Sequence, residues 1–252
     1  MACFLAGVES RYAEVMRLAL ISDLHGNEIA LDAVLKDAAH VGYDRLVCLG
    51  DVATLGPRPS QVLARLRDLG CPCILGNHDE FMLDVDLVRS YSEFPLIIAS
   101  VDATRSALSV DEIEFIRGFP RTLAIDDVFL YHGSPRSNTE DLLAVTPAER
   151  VDEMLAGTRA LLLAGGHTHL QMLRQHHGML LVNPGSLGQP FRDYASGGPP
   201  VILPHAEYAI VEVTACGVSA DLRRVALDRH ALAAQIDGWQ NPLAAPLRAS
   251  YA

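Results

Sequence analysis

The chain has 252 residues, 50% of them hydrophobic, and a formal net charge of −11 at pH 7. This length and composition suffice to bury the core of one large domain. The negative charge argues against a stable nucleic-acid complex, because neutralising phosphates needs clustered lysine and arginine, and no apolar run approaches the roughly 18 residues that cross a bilayer.

The first fifteen residues show no periodicity, and we expect residues 1–15 to form a disordered or loosely docked extension. They contain no basic segment ahead of an apolar run, which argues against a secretory signal. The five cysteines are scattered and odd in number, a pattern that fits a reduced compartment better than a disulfide framework. We therefore expect a cytoplasmic protein that does not enter a membrane.

Three apolar runs in the first half of the chain predict buried strands at residues 18–21, 46–49 and 71–75. Apolar stripes at helical spacing lie between them, one starting after Asn27 and one after Ser60. Strand and helix thus alternate as they do in the βαβ units of a parallel sheet.

The alternation stops after the third predicted strand. Residues 81–119 contain helical patterns, among them 84–89 and 111–117, while the run 96–99 is ambiguous between helix and strand. We interpret this segment as a helical insertion over or beside the end of the third strand. Its periodicity leaves open whether it controls substrate access or forms a subunit contact.

After the insertion we expect a hairpin at 122–131, a helix at 147–155 and a buried strand at 160–164. Short strands at 172–174, 179–182, 208–213 and 222–226 predict a second, largely antiparallel sheet, which a helix at 228–236 follows. We expect an irregular tail at 239–252. The predicted organisation is therefore the extension, one domain at 16–238 with its insertion at about 81–119, and the tail.

Polar side chains follow the predicted strands at the point where each strand ends. They are Asp23 and His25, Asp51, Asn77 and His78, His132, and His167 and His169. The carboxyl ends of strands in an open α/β sheet converge on one crevice, so these side chains should converge as well. A single Asp or His at a strand end needs no functional explanation. Five loops that each place such a residue at a strand end together predict a metal centre.

The types of donor limit the choice of metal. Two Asp, one Asn and four His without cysteine suit a divalent ion such as Mn, Fe, Ni, Co or Zn, with Mn as our first choice, and do not suit a structural zinc site. Seven ligands are too many for one tetrahedral ion. They suit two ions roughly 3.5–4 Å apart that share a carboxylate, an arrangement used on phosphate esters.

At this point the sequence resembles the calcineurin-like metallophosphoesterase superfamily, and more closely its small bacterial phosphodiesterase branch. The matching segments are Asp23-Leu-His25, Gly50-Asp51, Gly76-Asn-His-Asp79, His132-Gly133 and Gly166-His-Thr-His169, with residues 183–188 as an addition typical of the branch. The resemblance implies an α/β fold, a four-layer αββα sandwich of two mixed sheets with the helical insertion after the third strand.

The resemblance also implies a role for each matching residue. Asp23, His25 and His169 would hold the first ion, Asn77, His132 and His167 the second, and Asp51 would bridge them. His78 would be the catalytic histidine, with Asp79 orienting its ring. Asn27 is a candidate substrate contact and equally a helix cap. Arg192 is a weaker candidate, because Phe191 stands where relatives place an arginine.

The predicted function is hydrolysis of a small phosphate ester or nucleotide, preferably a phosphodiester, by in-line attack of a hydroxide held between two metal ions. Hydrolysis of a dinucleoside polyphosphate or a phosphoprotein is the alternative within the enzyme class. A non-catalytic metal-binding scaffold is the alternative outside it, and the presence of His78 argues against that role. A homo-oligomer is left open. We interpret the remaining histidines, His40, His176, His177, His205 and His230, as solvated surface residues.

Overall fold

The computed structural model describes residues 15–195, 198–214 and 217–251, so the predicted N-terminal extension lies outside the described residues except for its last position. The strands are β1 (Met16–Ile21), β2 (Arg45–Cys48), β3 (Leu123–Ile125), β4 (Val128–Leu130), β5 (Leu162–Ala164), β6 (Met172–His176), β7 (Met179–Asn183), β8 (His205–Thr214) and β9 (Gly217–Ala226). The helices are α1 (Glu28–Val41), α2 (Pro59–Asp68), α3 (Asn77–Leu83), α4 (Leu87–Tyr91), α5 (Pro95–Ala107), α6 (Val110–Arg117), α7 (Ala148–Leu155), α8 (Arg229–Ala234) and α9 (Ala244–Ser250).

The strands form two mixed sheets, as predicted. The late strands do not form a separate antiparallel sheet, because β8 and β9 join β1 and β2, whereas β6 and β7 join β3, β4 and β5. The first has the order β2-β1-β8-β9, and the second has the order β3-β4-β5-β7-β6. In the first sheet β1 pairs parallel with β2 and antiparallel with β8. In the second, β5 lies between β4 and β7 and is parallel to both.

The two sheets pack face to face, and helices cover their outer faces. Leu18 and Leu20 of β1 pack in the same cluster as Leu162 and Ala164 of β5, between the sheets. The alternate residues of β1 pack against α1, α2 and the helices of the insertion, whereas Leu163 packs outward with residues of α7. This alternation follows from the two-residue period of a strand, and it produces the four-layer αββα sandwich.

The predicted third strand is reduced to a single parallel bridge between Cys48 and Cys73. Pro72 has no N–H to donate, so the ladder along β2 is interrupted there. The amide of Leu75 then donates to the oxygen of Pro120 instead of to β2. The segment still runs beside β2 and leads into Gly76.

The insertion is helical, and residues 96–99 belong to α5. The expectation of an irregular tail is wrong, because the tail contains α9. Leu247 of α9 and the following Tyr251 are buried against Leu232 and Ile236. Cys48, Cys71 and Cys73 are free and buried. Within the described residues no helix has the length and apolarity to cross a membrane.

Candidate metal centre

Loops that follow the strands of both sheets bring the predicted site residues together in the interior. Asp23 and His25 follow β1, Asp51 follows β2, His132 follows β4, and His167 and His169 follow β5. Asn77 and His78 begin α3. All eight side chains are buried, and the most exposed of them, His167, is only 9% accessible.

The donor atoms of these side chains fall into two groups. One group is Asp23, His25 and His169, and the other is Asp51, His132 and His167; within each group the donor atoms all lie within 4.8 Å of one another. The amide oxygen of Asn77 lies 3.1 Å from Nε2 of His132 and so adjoins the second group. The groups are adjacent, because Oδ1 of Asp23 lies 4.0 Å from Nε2 of His132.

Backbone carbonyls orient three of the imidazoles. Nδ1 of His25, His132 and His169 donates to the backbone oxygens of Thr54, Leu49 and Gln189, at 3.1, 2.7 and 2.7 Å. A proton on Nδ1 leaves a lone pair on Nε2, which is the form that binds a metal. The carbonyls therefore direct the three Nε2 atoms into the site.

The inward-facing atoms require a cation. Nε2 of His25 and Nε2 of His169 lie 3.1 Å apart, and two lone pairs at that distance repel unless a proton or a metal ion lies between them. Oδ1 of Asp23, 3.4 Å from Nε2 of His169, is buried without a hydrogen-bond donor. Because a buried carboxylate oxygen normally has a partner, the residues present fit a divalent ion at this position.

The charges and the burial of the site affect the candidate donors differently. Burial raises the pKa of the Asp23 carboxyl, but His169 and His132 outweigh it and bring that pKa down to about 2. Burial and the charge of His169 lower the pKa of His25 to about 3. Burial also lowers the pKa of His132, yet Asp51 outweighs it and raises that pKa to about 9. An ion bound at His132 would have to displace its proton.

Backbone strain is concentrated at the candidate donor positions. Nine non-glycine residues in the described chain have positive φ, and five of them are Asp23, His25, Asp51, His167 and His169. Such conformations cost about 1–3 kcal/mol each and persist only where surrounding contacts fix them. The amides of the first three are held by backbone hydrogen bonds or by a buried carboxylate, so the fold stores strain where it positions the donors.

The turn at Gly76 brings α3 against Asp51. A Cβ at Gly76 would lie 2.1 Å from Oδ1 of Asp51, so this position accepts only glycine. The same Oδ1 accepts the backbone N–H of His78 at 2.8 Å. The start of α3 and the Asp51 carboxylate are therefore fixed relative to each other.

Asp79 has a different task from the expected one. Its Oδ2 accepts the N–H groups of Asp51 and Gly76, at 2.8 and 3.1 Å, and its Oδ1 accepts the N–H of Val52 at 2.9 Å. The carboxylate therefore connects two loops and does not orient the ring of His78. Burial, followed by the charge of Asp51, raises the pKa of Asp79 to about 7. Burial and the nearby Asp51 carboxylate therefore disfavour the ionised form of Asp79, which the three N–H groups stabilise.

His78 faces a cavity beside the donors. Its ring packs edge-on against His25 and Phe81, with centroids 5.3 and 5.1 Å away. Its Nδ1 is buried without a hydrogen-bond partner. The side chain of His78 thus lines the cavity next to the candidate donors, and no protein group occupies its Nδ1.

The two candidate substrate contacts lie elsewhere. Oδ1 of Asn27 accepts the N–H of Ala30 and caps α1, while its Nδ2 donates to the oxygen of Gly188. Asn27 is thus the helix cap that the sequence also allowed. Arg192 is exposed and pairs with Asp193 at 2.7 Å, outside the cavity.

The interpretation of His176 as a solvated surface residue is wrong, because this residue is buried and bonded to Asp152.

Two contributions to the site were missed by the sequence analysis. Ser186, in the segment 183–188, donates to the backbone oxygen of Asp23 at 2.8 Å and so braces the loop after β1. Asp141 lies 3.4 Å from Nε2 of His167 and accepts the hydroxyl of Tyr194 at 2.7 Å. The sequence identifies residues 183–188 as a motif but indicates no function for Ser186. Asp141 lies in a loop without periodicity, so the sequence did not indicate its contact with His167.

Comparison with known proteins decides the class of the protein. The sequence model of the calcineurin-like phosphoesterase superfamily domain matches residues 16–213. The chain belongs to this superfamily. The matched region contains every donor of both groups, and the predicted class, a metal-dependent phosphoric ester hydrolase, is confirmed together with the two-sheet fold.

Several known proteins resemble the chain over most of its length. A metallophosphoesterase of Sphaerobacter thermophilus is 27% identical, with a TM-score of 0.72 over 93% of this chain and 99% of its own. The uncharacterized protein MJ0912 of Methanocaldococcus jannaschii is 27% identical over 69% of this chain and 76% of its own. Phosphodiesterase YfcE of Escherichia coli is 26% identical over 85% of this chain and all of its own. These relatives confirm the resemblance to the small bacterial branch.

Proposed function

We propose that the protein is a phosphodiesterase that works with two divalent metal ions. The observation that carries this proposal is the pair of adjacent donor groups, each within 4.8 Å, at the ends of strands from both sheets. The similarity to a phosphodiesterase over 85% of the chain supports diesters as the substrate class.

The proposed ligands follow the two groups. Asp23, His25 and His169 would hold one ion, and His132 and His167 would hold the other with the oxygen of Asn77. Asp51 would contact both ions: its Oδ2 lies 3.4 Å from Nε2 of His132, and the same Nε2 lies 4.0 Å from Oδ1 of Asp23 in the first group. Manganese is the proposed ion, with Fe, Ni, Co or Zn as alternatives, because nitrogen and oxygen donors without sulfur suit these metals. When bound, two such ions polarise the ester and lower the pKa of a water molecule.

His78 is the proposed catalytic residue. Its backbone N–H is fixed on Asp51, which holds the start of α3 against the donors, and its side chain lines the cavity beside them. From there it contacts a phosphate oxygen or protonates the leaving oxygen. A cytoplasmic location belongs to the same proposal, supported by the three buried free cysteines.

A substrate panel tests the proposal. The purified protein, reconstituted with Mn²⁺, is assayed on bis(4-nitrophenyl) phosphate, 4-nitrophenyl phosphate, a dinucleoside tetraphosphate and a phosphoserine peptide. We expect the highest kcat/KM on the diester, loss of activity with a chelator, and recovery when Mn²⁺ is added back. Preference for the tetraphosphate or the peptide would replace the proposal with one of its alternatives, and activity unaffected by chelation would overturn the metal requirement.

A further inference from the structure

A cavity of about 530 Å³ lies beside the metal centre. Its polar end is formed by metal ligands and by His78. Its volume lies in the range of sites that bind a small organic molecule, and it exceeds what a single phosphate group fills. The remaining walls therefore contact the organic part of the substrate.

Three segments outside the strand-end loops form those walls. The helical insertion contributes Tyr91, Phe94 and Ile97, the loop after β7 contributes Phe191, and α9 contributes Leu247. The ring of Phe191 stacks on the metal ligand His169 with centroids 4.2 Å apart. An apolar surface thus begins directly at the metal centre and extends to the insertion and α9.

Apolar side chains are also exposed at this site. Tyr91, Phe94 and Leu96 line the cavity and remain 45%, 52% and 41% exposed. Adjacent exposed apolar groups around a concave surface are typical of a ligand-binding site. A ligand with apolar groups would remove these side chains from water.

Lysine and arginine are absent from the described lining. No Lys or Arg belongs to the part of the wall that the structure describes, and Arg192, next to Phe191, pairs with Asp193. A second phosphate on the substrate would therefore lie against apolar side chains without a cationic partner, which is strongly unfavourable. The metal centre itself would balance the negative charge of the one phosphate that reacts.

We propose that the substrate carries a single phosphate diester and that its retained organic group is apolar, either aromatic or alkyl, and lies in this cavity. This inference rests on the proposed function and narrows its substrate class. Phe94 is a specificity-determining residue in this arrangement, because it lines the cavity and half of its surface is free for a ligand.

Diesters with a common leaving group test the inference. The Mn²⁺-loaded enzyme is assayed on 4-nitrophenyl phosphodiesters whose retained group is methyl, hexyl, phenyl, or an alkyl chain bearing a second phosphate. We expect kcat/KM for the hexyl or phenyl ester to exceed that of the methyl ester about 10-fold or more, as for apolar groups in enzyme pockets. The ester with a second phosphate should be the poorest substrate.

A substitution should reverse this preference. Phe94→Lys should lower kcat/KM for the phenyl ester about 10-fold and raise it for the ester with a second phosphate. Val110→Lys is the matched control, because Val110 is 77% exposed on the same insertion and does not line the cavity. It should change neither value. Equal effects of the two substitutions would overturn the role of Phe94.

Calorimetry provides a measurement independent of turnover. The Mn²⁺-loaded enzyme should bind phenylphosphonate about 10-fold more tightly than methylphosphonate, and Phe94→Lys should remove the difference. Absence of hydrolysis of every ester would overturn the proposed function. Calorimetry would still show whether the cavity prefers an apolar organic group. Hydrolysis with equal kcat/KM for all retained groups, or equal binding of both phosphonates, would overturn the inference and leave the phosphodiesterase proposal standing.

Discussion

The metal centre and the apolar cavity lie side by side but are built differently. The donors of the centre are buried, come from strand-end loops and sit on strained backbone fixed by hydrogen bonds. The cavity is walled by partly exposed side chains of an insertion, a loop and a C-terminal helix. Under the two proposals above, the loops of the sheets position the reacting groups, whereas the segments added to the sheets select the substrate. Substitutions in the two regions should therefore have separable effects.

The largest effect is expected at Asp51, the proposed bridge. Asp51→Asn removes the charge that both ions would share, so we expect loss of bound metal and a fall in kcat/KM of about a thousand-fold or more. Elemental analysis and steady-state kinetics measure the two quantities. Asp221→Asn is a matched control, since Asp221 of β9 pairs with Arg223 at 2.8 Å and belongs to none of the possible metal-binding groups found among the described residues. An Asp51→Asn protein that keeps both ions would refute the bridging role.

Substitution of Asp79 tests whether its carboxylate stabilises the two loops at Asp51 and Gly76. Asp79→Ala leaves three backbone N–H groups of two loops without their acceptor, and we expect the free energy of unfolding of the metal-free protein to fall by about 3 kcal/mol. Urea titration measures it. Asp79→Asn keeps one of the acceptor oxygens and should fall between the wild type and Asp79→Ala. A stable Asp79→Ala protein with low turnover would instead restore the expected role in orienting His78.

His78 separates metal binding from chemistry. His78→Ala should keep its metal, since no donor group includes this side chain, while kcat on an alkyl diester falls about a hundred-fold, as for loss of a general acid. The loss should be smaller on a 4-nitrophenyl ester, whose leaving group needs no proton. His78→Asn retains a hydrogen-bond donor and distinguishes contact with the phosphate from proton transfer. Full activity of His78→Ala on the alkyl ester would refute the catalytic role.

The same contrast explains what the sequence could predict. The donors of the centre stand directly after continuous apolar runs, so a local pattern gave both the strands and the convergence of their ends. Helix α9 had no such signal, because it is short, contains Pro246 and depends on burying Leu247 and Tyr251 against distant residues. The partners of Asp79 were also hidden, because the turn at Gly76 directs this carboxylate to backbone amides and away from the adjacent His78.

The smallest effect is expected far from both regions, at Asp37 of α1. This carboxylate accepts the hydroxyl of Tyr208 at 2.5 Å and Nε of Arg223 at 3.0 Å, and these bonds, Tyr208 first, lower its pKa below the ordinary 3.8 against the opposing effect of burial. A lowered pKa in the folded state means that the stabilisation is complete above the unfolded pKa and is lost as the pH falls through the folded one.

Asp37→Asn should therefore lower the free energy of unfolding by about 1 kcal/mol at pH 7, and the difference from the wild type should shrink as the pH falls below 3.8. Urea titrations at neutral and acidic pH measure this. Metal content and kcat/KM should stay at the wild-type values, because Asp37 connects α1 to β8 and β9 and touches neither the donors nor the cavity. A change in either quantity would show that the stability of the scaffold and the properties of the metal centre are coupled.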